Sequence, residues 1–409
     1  MLTNPLFEIY TNFQQRAFRA SRWITNHIFP IGWLALLTGL FWVGDRALYH
    51  KLYYALLAAP AVIAMIMQPR LAFRLLQHPL IATFLLFGSY VILSLLWSDT
   101  DTAATSLIKR PIYVLAMLLS AAMLALERPA ALGQVTQIAA VTATISAGLS
   151  YGYYICTGQP LLGDQRFSGY GALYNPLLSA HVYGFFAVFW LVRWFTAREP
   201  WTLLPLIGLA TLGTVIIATG SRTPLLALSA TVIWLCLTHF NRRSLALALT
   251  TLGAGLALLV LHPASLTSRG LSYRPEIWSE AISLAAQRPW LGYGYEHHLL
   301  LELKRTGHAF NDPHNIELAV LLAGGLIGLA LWLTLYGIAM VYSWRNRNNS
   351  SALVASALLV FGLVAGLTEG RDFLSRPKEH WFLIWIPFAL LINAWQCTKR
   401  KTEAYPKAI

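Results

Sequence analysis

The sequence predicts an all-α integral membrane protein of about twelve transmembrane helices, with one long outer loop that carries amphipathic helices of its own. Three observations lead there. Hydrophobic residues make up 57% of the 409 residues and charged residues only 11%, where a soluble globular domain carries about a quarter; the mean hydropathy is +0.56. The apolar residues also fall into blocks of roughly 17 to 25, the length a helix needs to cross hydrocarbon, and a helix satisfies its own backbone there. Finally, Lys and Arg are divided unevenly between alternate connections.

In chain order, residues 1–28 mix apolar and basic residues ("NPLFEIYTNFQQRAFRASRWITNHIF" from Asn4) with no small-residue cleavage site. That suits a cytoplasmic amphipathic helix on the membrane surface better than a signal peptide. Residues 29–262 hold nine spans: Phe29–Val43, Leu52–Met67, Pro79–Trp97, Leu107–Leu126, Gln134–Ile155, Pro176–Phe195, Trp201–Thr219, Thr223–His239 and Ser244–His262. The outer loop occupies 263–313. Three further spans, His314–Tyr342, Ala352–Leu367 and Trp381–Trp395, fill 314–396, and 397–409 is a basic tail.

With both termini cytoplasmic, that side holds 16 of the 30 Lys and Arg and four of the 17 acids, so +12 of the net +13 charge lies there and +1 outside. This is the asymmetry that orients membrane proteins. The basic excess is thus a topology signal and does not point to nucleic acid. Three widely spaced cysteines imply no disulfide framework. Neither a phosphate-binding GxxxxGK[ST] loop nor HExxH nor a zinc-spaced Cys/His set is present, so no cofactor and no metal are expected.

Polar residues gather on the outer face. The loop Pro263–Pro313 is far longer than its neighbours, and long loops in compact domains are usually functional. Within it, "RPEIWSEAISLAAQ" (274–287) reads as an amphipathic helix, and "HHLLLELKRTG" (297–307) suggests a second after the turn "RPWLGYGYE". At the tenth span, Asp312 is expected as N-cap and Pro313 as the first helical residue, which leaves His314 and Asn315 at the mouth of an apolar helix. Three more stretches share this face: "GDQRFSGYGALYNP" with Arg166 and Asn175, "ATGSRTP" with Arg222, and "SYRPEIW" with Arg274.

Each residue has a plain reading beside the functional one. Arg222 at a span's edge either snorkels to headgroups or finds a partner. Arg274 on a loop helix suits a lipid headgroup contact, Arg166 a pair with Asp164, and His314 a bond to nearby backbone. Asn175 before a proline is ordinary turn chemistry, and His181 suits close packing. Their shared side of the membrane favours a site. Guanidinium groups bind phosphate oxygens bidentately and keep their charge, while histidine accepts a proton near neutral pH. A site without nucleotide needs an activated substrate already in the lipid, and a polyprenyl-diphosphate sugar meets that need.

Residues 160–345 resemble the O-antigen ligase and polymerase superfamily of bacterial envelope enzymes. The resemblance rests on "RFSGYGALYNP", "TGSRTPLLAL", "RPEIWSEAISLAAQRPWLGYG" and a ligase-type pattern met in full by His314, Asn315, nine residues ending at Gly324, then Gly325, two residues and Gly328. It implies a GT-C-like, multi-pass glycosyltransferase of the bacterial inner membrane with a periplasmic active site. Its donor would be O-antigen on undecaprenyl diphosphate and its acceptor a sugar of lipid A-core oligosaccharide, with inversion at the anomeric carbon. The family's essential positions fall on Arg222, Arg274 and His314, which are the expected catalytic residues. Arg166, Asn315, Asn175 and His181 are expected to bind diphosphate or sugar. The sequence departs from many relatives at Leu177, where they carry a second asparagine, so that contact has no residue assigned.

An O-antigen polymerase or a protein O-oligosaccharyltransferase would share this donor. A lipid flippase would also face a diphosphate lipid with basic residues, but it should show internal repeats and charged or broken helices near mid-membrane. The sequence shows neither.

Overall fold

A computed structural model describes residues 5–158, 165–199, 202–261, 273–303 and 307–404. Helix dominates. In chain order the elements are α1 (Pro5–Trp23), α2 (Phe29–Thr38), α3 (Arg46–Tyr53), α4 (Ala59–Met67), α5 (Pro69–Leu76), α6 (Pro79–Leu93), α7 (Ala104–Glu127) and α8 (Ala131–Cys156). There follow α9 (Pro176–Thr196), α10 (Leu203–Ala218), α11 (Arg222–Thr238), α12 (Arg242–Leu261), α13 (Arg274–Gln287), β1 (Leu301–Leu303), β2 (His308–Phe310), α14 (Ile316–Arg345), α15 (Ser350–Gly366), α16 (His380–Leu383) and α17 (Trp385–Ala404). Among the described residues seven helices are long and apolar enough to cross a membrane, and α10, α11 and α15 are apolar but shorter.

The first element differs from expectation. One turn of wider π geometry at Ile24–Ile28 joins α1 to α2, so the expected surface helix and the first span are one rod. Its later half packs inside the bundle, where Ser21 and Thr25 are buried and Ser21 donates to the Ala64 carbonyl at 3.4 Å, while exposed Arg22 pairs with Glu127 at 2.8 Å.

The interior is close-packed and aromatic. Trp33, Trp190 and Trp385 are fully buried, and each indole N–H is used, on Ser120 Oγ (3.1 Å), Thr144 Oγ1 (3.0 Å) and the Phe373 carbonyl (2.9 Å). An indole N–H left unpaired in hydrocarbon would cost several kcal/mol. Ile145, Leu149, Leu203 and Ile207 stay exposed, as suits side chains whose solvent is lipid.

After α12, α13 spans the residues expected of it, but the described residues of 297–307 contain no helix. Leu301 pairs with Phe310, Glu302 with Ala309 and Leu303 with His308 in an antiparallel hairpin. Leu299, Leu301 and Leu303 alternate inward onto Ile277, Ala281 and Ala285 of α13 and Leu322 of α14. That period of two belongs to a strand. The remaining loop residues, 262–272 and 304–306, lie outside the described residues, as does Asp164, the expected partner of Arg166.

Contrary to the sequence reading, one long helix is broken. Gly325 of α14 has φ +60°, ψ −162°. Backbone from the "RPWLGYG" turn fills the gap: Leu326 N–H donates to Pro289 O (2.7 Å), while Tyr293 and Gly294 N–H donate to Leu322 O (2.8 Å) and Ala323 O (2.9 Å). The Tyr90 hydroxyl takes Gly324 O at 2.7 Å. Irregular backbone inside a membrane protein is tolerated only where protein or a water-filled cavity surrounds it, and here the protein supplies the partners. The segment after α13 is thereby stitched into the bundle.

Candidate active site

The mouth of α14 is built differently from the expected Asp312–Pro313 helix start. Asn315 is the N-cap: its Oδ1 accepts from Leu318 N–H (2.8 Å), and its Nδ2 donates to the Leu367 carbonyl (2.9 Å) at the end of α15. Asn can cap one turn and still tie down a neighbouring helix, whereas Asp312 has no N–H to offer. With both ends of its amide used on backbone, Asn315 holds the segment in place. Asp312 instead accepts the His314 backbone N–H at 2.7 Å, and His314 adopts φ +48°. His314 therefore stands just outside the helix in a left-handed conformation rare for a residue other than glycine, its side chain 33% exposed.

Two carboxylates face its Nδ1, Asp312 Oδ1 at 4.0 Å and Glu369 Oε1 at 3.9 Å. Glu369 also reaches Arg274, the first residue of α13, whose Nη2 lies 3.3 Å from Glu369 Oε2 and whose Nε donates to the Thr368 carbonyl at 2.9 Å. The Glu369 side chain is 12% exposed. Burial pushes its carboxyl up to about 7, Arg274 and Arg166 pulling it back and Asp312 pushing it further up. The sequence reading missed this residue. Its signal was an acid, "TEG", directly beyond an apolar span, where an ionisable group usually has a partner or a task.

Arg166 and Arg222 share a second corner. Phe167 N–H donates to Ala218 O (3.1 Å), and Arg166 fixes the turn after α10 through Nε to Thr219 O (2.7 Å) and Nη2 to Ser221 Oγ (2.7 Å). The turn needs Gly220 at φ +60°. Arg222 opens α11 immediately afterwards. The two corners meet at Thr368, whose hydroxyl donates to Thr223 Oγ1 at 3.1 Å. Thr368 and Glu369 thus hold Arg274 and bring a carboxylate within 3.9 Å of His314, while Thr223, the residue after Arg222, bonds to the same Thr368.

The two remaining expected residues belong to α9. Asn175 caps α9, accepting from Leu177 N–H (2.9 Å) and Leu178 N–H (3.2 Å), and remains exposed. His181, two turns further along α9, is fully buried. Beside Arg166 opens a cavity of about 800 Å³ whose walls include Trp42, Ile145, Leu149, Tyr153 and Tyr170. Among the described residues no group of three or more His, Cys, Asp or Glu is arranged to hold a metal.

Fold and site together define a multi-helix membrane protein with arginines, a carboxylate and a histidine converging at one end of the bundle. Residues 207–333, from α10 into α14, match the family described as O-antigen ligase. Over 376 residues the chain is 52% identical to an O-antigen ligase of Pseudomonas aeruginosa, an alignment that covers 92% of each chain. The chain belongs to the O-antigen ligase family, and so to the glycosyl-transferring enzymes of lipopolysaccharide biosynthesis.

Proposed function

We propose that the protein transfers O-antigen polysaccharide from undecaprenyl diphosphate to a sugar hydroxyl of lipid A-core oligosaccharide. The reaction takes place at the periplasmic face of the inner membrane, in a bundle of about twelve spans with both termini cytoplasmic. The observation that carries this reading is the junction at Thr368, which links the helix starts bearing Arg222 and Arg274 to the Glu369–His314 contact. Arg222 and Arg274, with Arg166 beside them, hold the diphosphate. The apolar walls of the neighbouring cavity receive the polyprenyl chain.

In the transfer step the acceptor oxygen attacks the anomeric carbon from the face opposite the diphosphate. The carbon–oxygen bond to the diphosphate breaks, and its electron pair leaves on the phosphate oxygen. The guanidinium groups stabilise that developing charge, and the acceptor proton passes to Nε2 of His314. Configuration inverts. The diphosphate lipid already stores the energy of the bond, so neither nucleotide nor metal takes part.

The test is reconstitution: purified protein, glycan-loaded undecaprenyl diphosphate and lipid A-core, in excess chelator, should yield the ligated product. Loss of product restored by magnesium would overturn metal independence. Glycan analysis of a deletion strain separates ligase from polymerase. A strain lacking the ligase makes core-only lipopolysaccharide and accumulates lipid-linked polymer, whereas one lacking the polymerase still caps the core with a single repeat.

A further inference from the structure

We infer that Glu369 is a positioning residue that couples diphosphate binding at Arg274 to activation of His314. This deepens the proposed function and rests on it. The geometry is a single buried carboxylate shared between the two groups: Oε2 lies 3.3 Å from Arg274 Nη2, and Oε1 lies 3.9 Å from His314 Nδ1. The first is a loose ion pair. The second is about 1 Å too long for a hydrogen bond, which for a nitrogen and a charged oxygen closes to about 2.8 Å. Glu369 therefore sits between two partners and satisfies neither fully.

A diphosphate arriving at Arg274 competes for the same guanidinium edge, because phosphate and carboxylate oxygens both seek paired N–H groups. It also places negative charge beside Glu369. Both effects drive the carboxylate away from Arg274 and toward His314 Nδ1. Arg274 stays in place because its Nε remains on the Thr368 carbonyl. Once Glu369, ionised as pH rises through about 7, accepts the N–H of Nδ1, the imidazole is fixed in the tautomer whose Nε2 carries the lone pair, and the carboxylate stabilises the imidazolium that forms as the acceptor hydroxyl is deprotonated. Donor binding thus precedes base activation, so an acceptor arriving first meets an imidazole whose Nδ1 has no hydrogen-bond partner among the described residues. Asp312 Oδ1 accepts the His314 backbone N–H at 2.7 Å and lies 4.0 Å from Nδ1, so it fixes the turn on which the ring stands.

The test uses purified full-length protein with Glu369→Gln, Glu369→Ala and Glu369→Asp. Binding of undecaprenyl diphosphate without glycan is measured apart from turnover. Glu369→Gln should lower kcat by about 10²-fold, the low end for losing effective base catalysis, while Kd for undecaprenyl diphosphate stays within threefold of wild type or tightens as Arg274 is released. Glu369→Asp should recover part of kcat. The pH–rate profile should change shape in Glu369→Gln, the titratable and charged groups facing this position being His314 and Asp312 before α14, Arg274 on α13 and Arg166 before α9. A kcat within twofold of wild type in Glu369→Gln would overturn the inference. So would a parallel loss of donor binding and kcat, which would make Glu369 only a strut for Arg274. Failure of the wild-type protein to bind undecaprenyl diphosphate would instead sink the proposed function, and the two failures are distinct.

Discussion

A side chain on Gly325 would collide with Trp290: a Cβ built there stands 2.3 Å from both the carbonyl carbon and the carbonyl oxygen of Trp290. Gly325 also holds φ +60°. The glycine thus permits the break in α14 and the close approach of the loop that fills it. Gly325→Ala should lower thermal stability in detergent by a few kcal/mol, from strain of about 1–3 kcal/mol plus the collision, and should cost activity because the loop carries α13 and Arg274. Gly253→Ala, where nothing lies within 4 Å of the added carbon, should be neutral. Equal melting temperatures for wild type and Gly325→Ala would mean that the loop is not clamped to the helix.

Much of this was legible in the sequence, and the rest failed for identifiable reasons. The residues of α13 show a helical spacing of apolar positions, and its limits fall where the sequence placed them. Leu299, Leu301 and Leu303 alternate, but within a short apolar run that also suits a helix, and only packing on Ile277 and Ala281 decides for the strand. Asp312 and Asn315 are both good caps, and choosing between them needed the Leu367 carbonyl, 52 residues away. Gly324, Gly325 and Gly328 stood out as a spacing, but what they accommodate, Tyr90 and Trp290, is distant in the chain. Glu369 stood out only as an acid just beyond an apolar span, and its partners, Arg274 and His314, come from two other segments.

Orientation can be checked at α13. Ser279 is exposed on that helix, and Ser279→Cys in a Cys156→Ser background should react with a membrane-impermeant maleimide added to intact spheroplasts. Protection there, with labelling only after lysis, would place α13 in the cytoplasm and remove the arginines and His314 from the periplasmic face.

Glu369 should make stability depend on pH. Its carboxyl, raised by burial from an ordinary 4.5 to about 7, binds a proton in the folded protein that the unfolded chain has released. Wild-type stability is therefore fully supported below about pH 4.5 and declines as pH rises through about 7, by up to about 3 kcal/mol at roughly 1.4 kcal/mol per pH unit. Glu369→Gln removes that slope, so its melting temperature should gain on wild type between pH 5 and pH 8. A constant difference across that range would show a carboxylate ionised throughout.

Replacing Arg222 or Arg274 by lysine should be nearly as damaging as replacing it by alanine. Lysine keeps the charge but loses the planar pair of N–H groups that matches phosphate, and at 274 it also loses the Nε bond to the Thr368 carbonyl. Transfer assays should show losses of at least about tenfold, the equivalent of one charge-assisted hydrogen bond of 1.5–3 kcal/mol, with membrane levels unchanged. Full activity in both lysine variants would mean that the two arginines serve only to snorkel.

His314 bears the most direct test. If its imidazole is the general base, His314→Ala and His314→Gln should each reduce transfer by about 10²- to 10⁴-fold while undecaprenyl diphosphate still binds, because the arginines and the apolar walls beside Arg166 hold that lipid. Glutamine can keep a hydrogen bond at this position but cannot take up the acceptor proton at neutral pH. His314 also sits at φ +48° with its N–H on Asp312 at 2.7 Å, so a loss of activity alone could reflect a collapsed turn. His314→Asn separates the two, since asparagine tolerates left-handed backbone well and likewise cannot act as base. A folded, donor-binding and inactive His314→Asn protein would fix the role on the ring. An active one would leave leaving-group stabilisation by Arg222 and Arg274 as the whole of the catalysis.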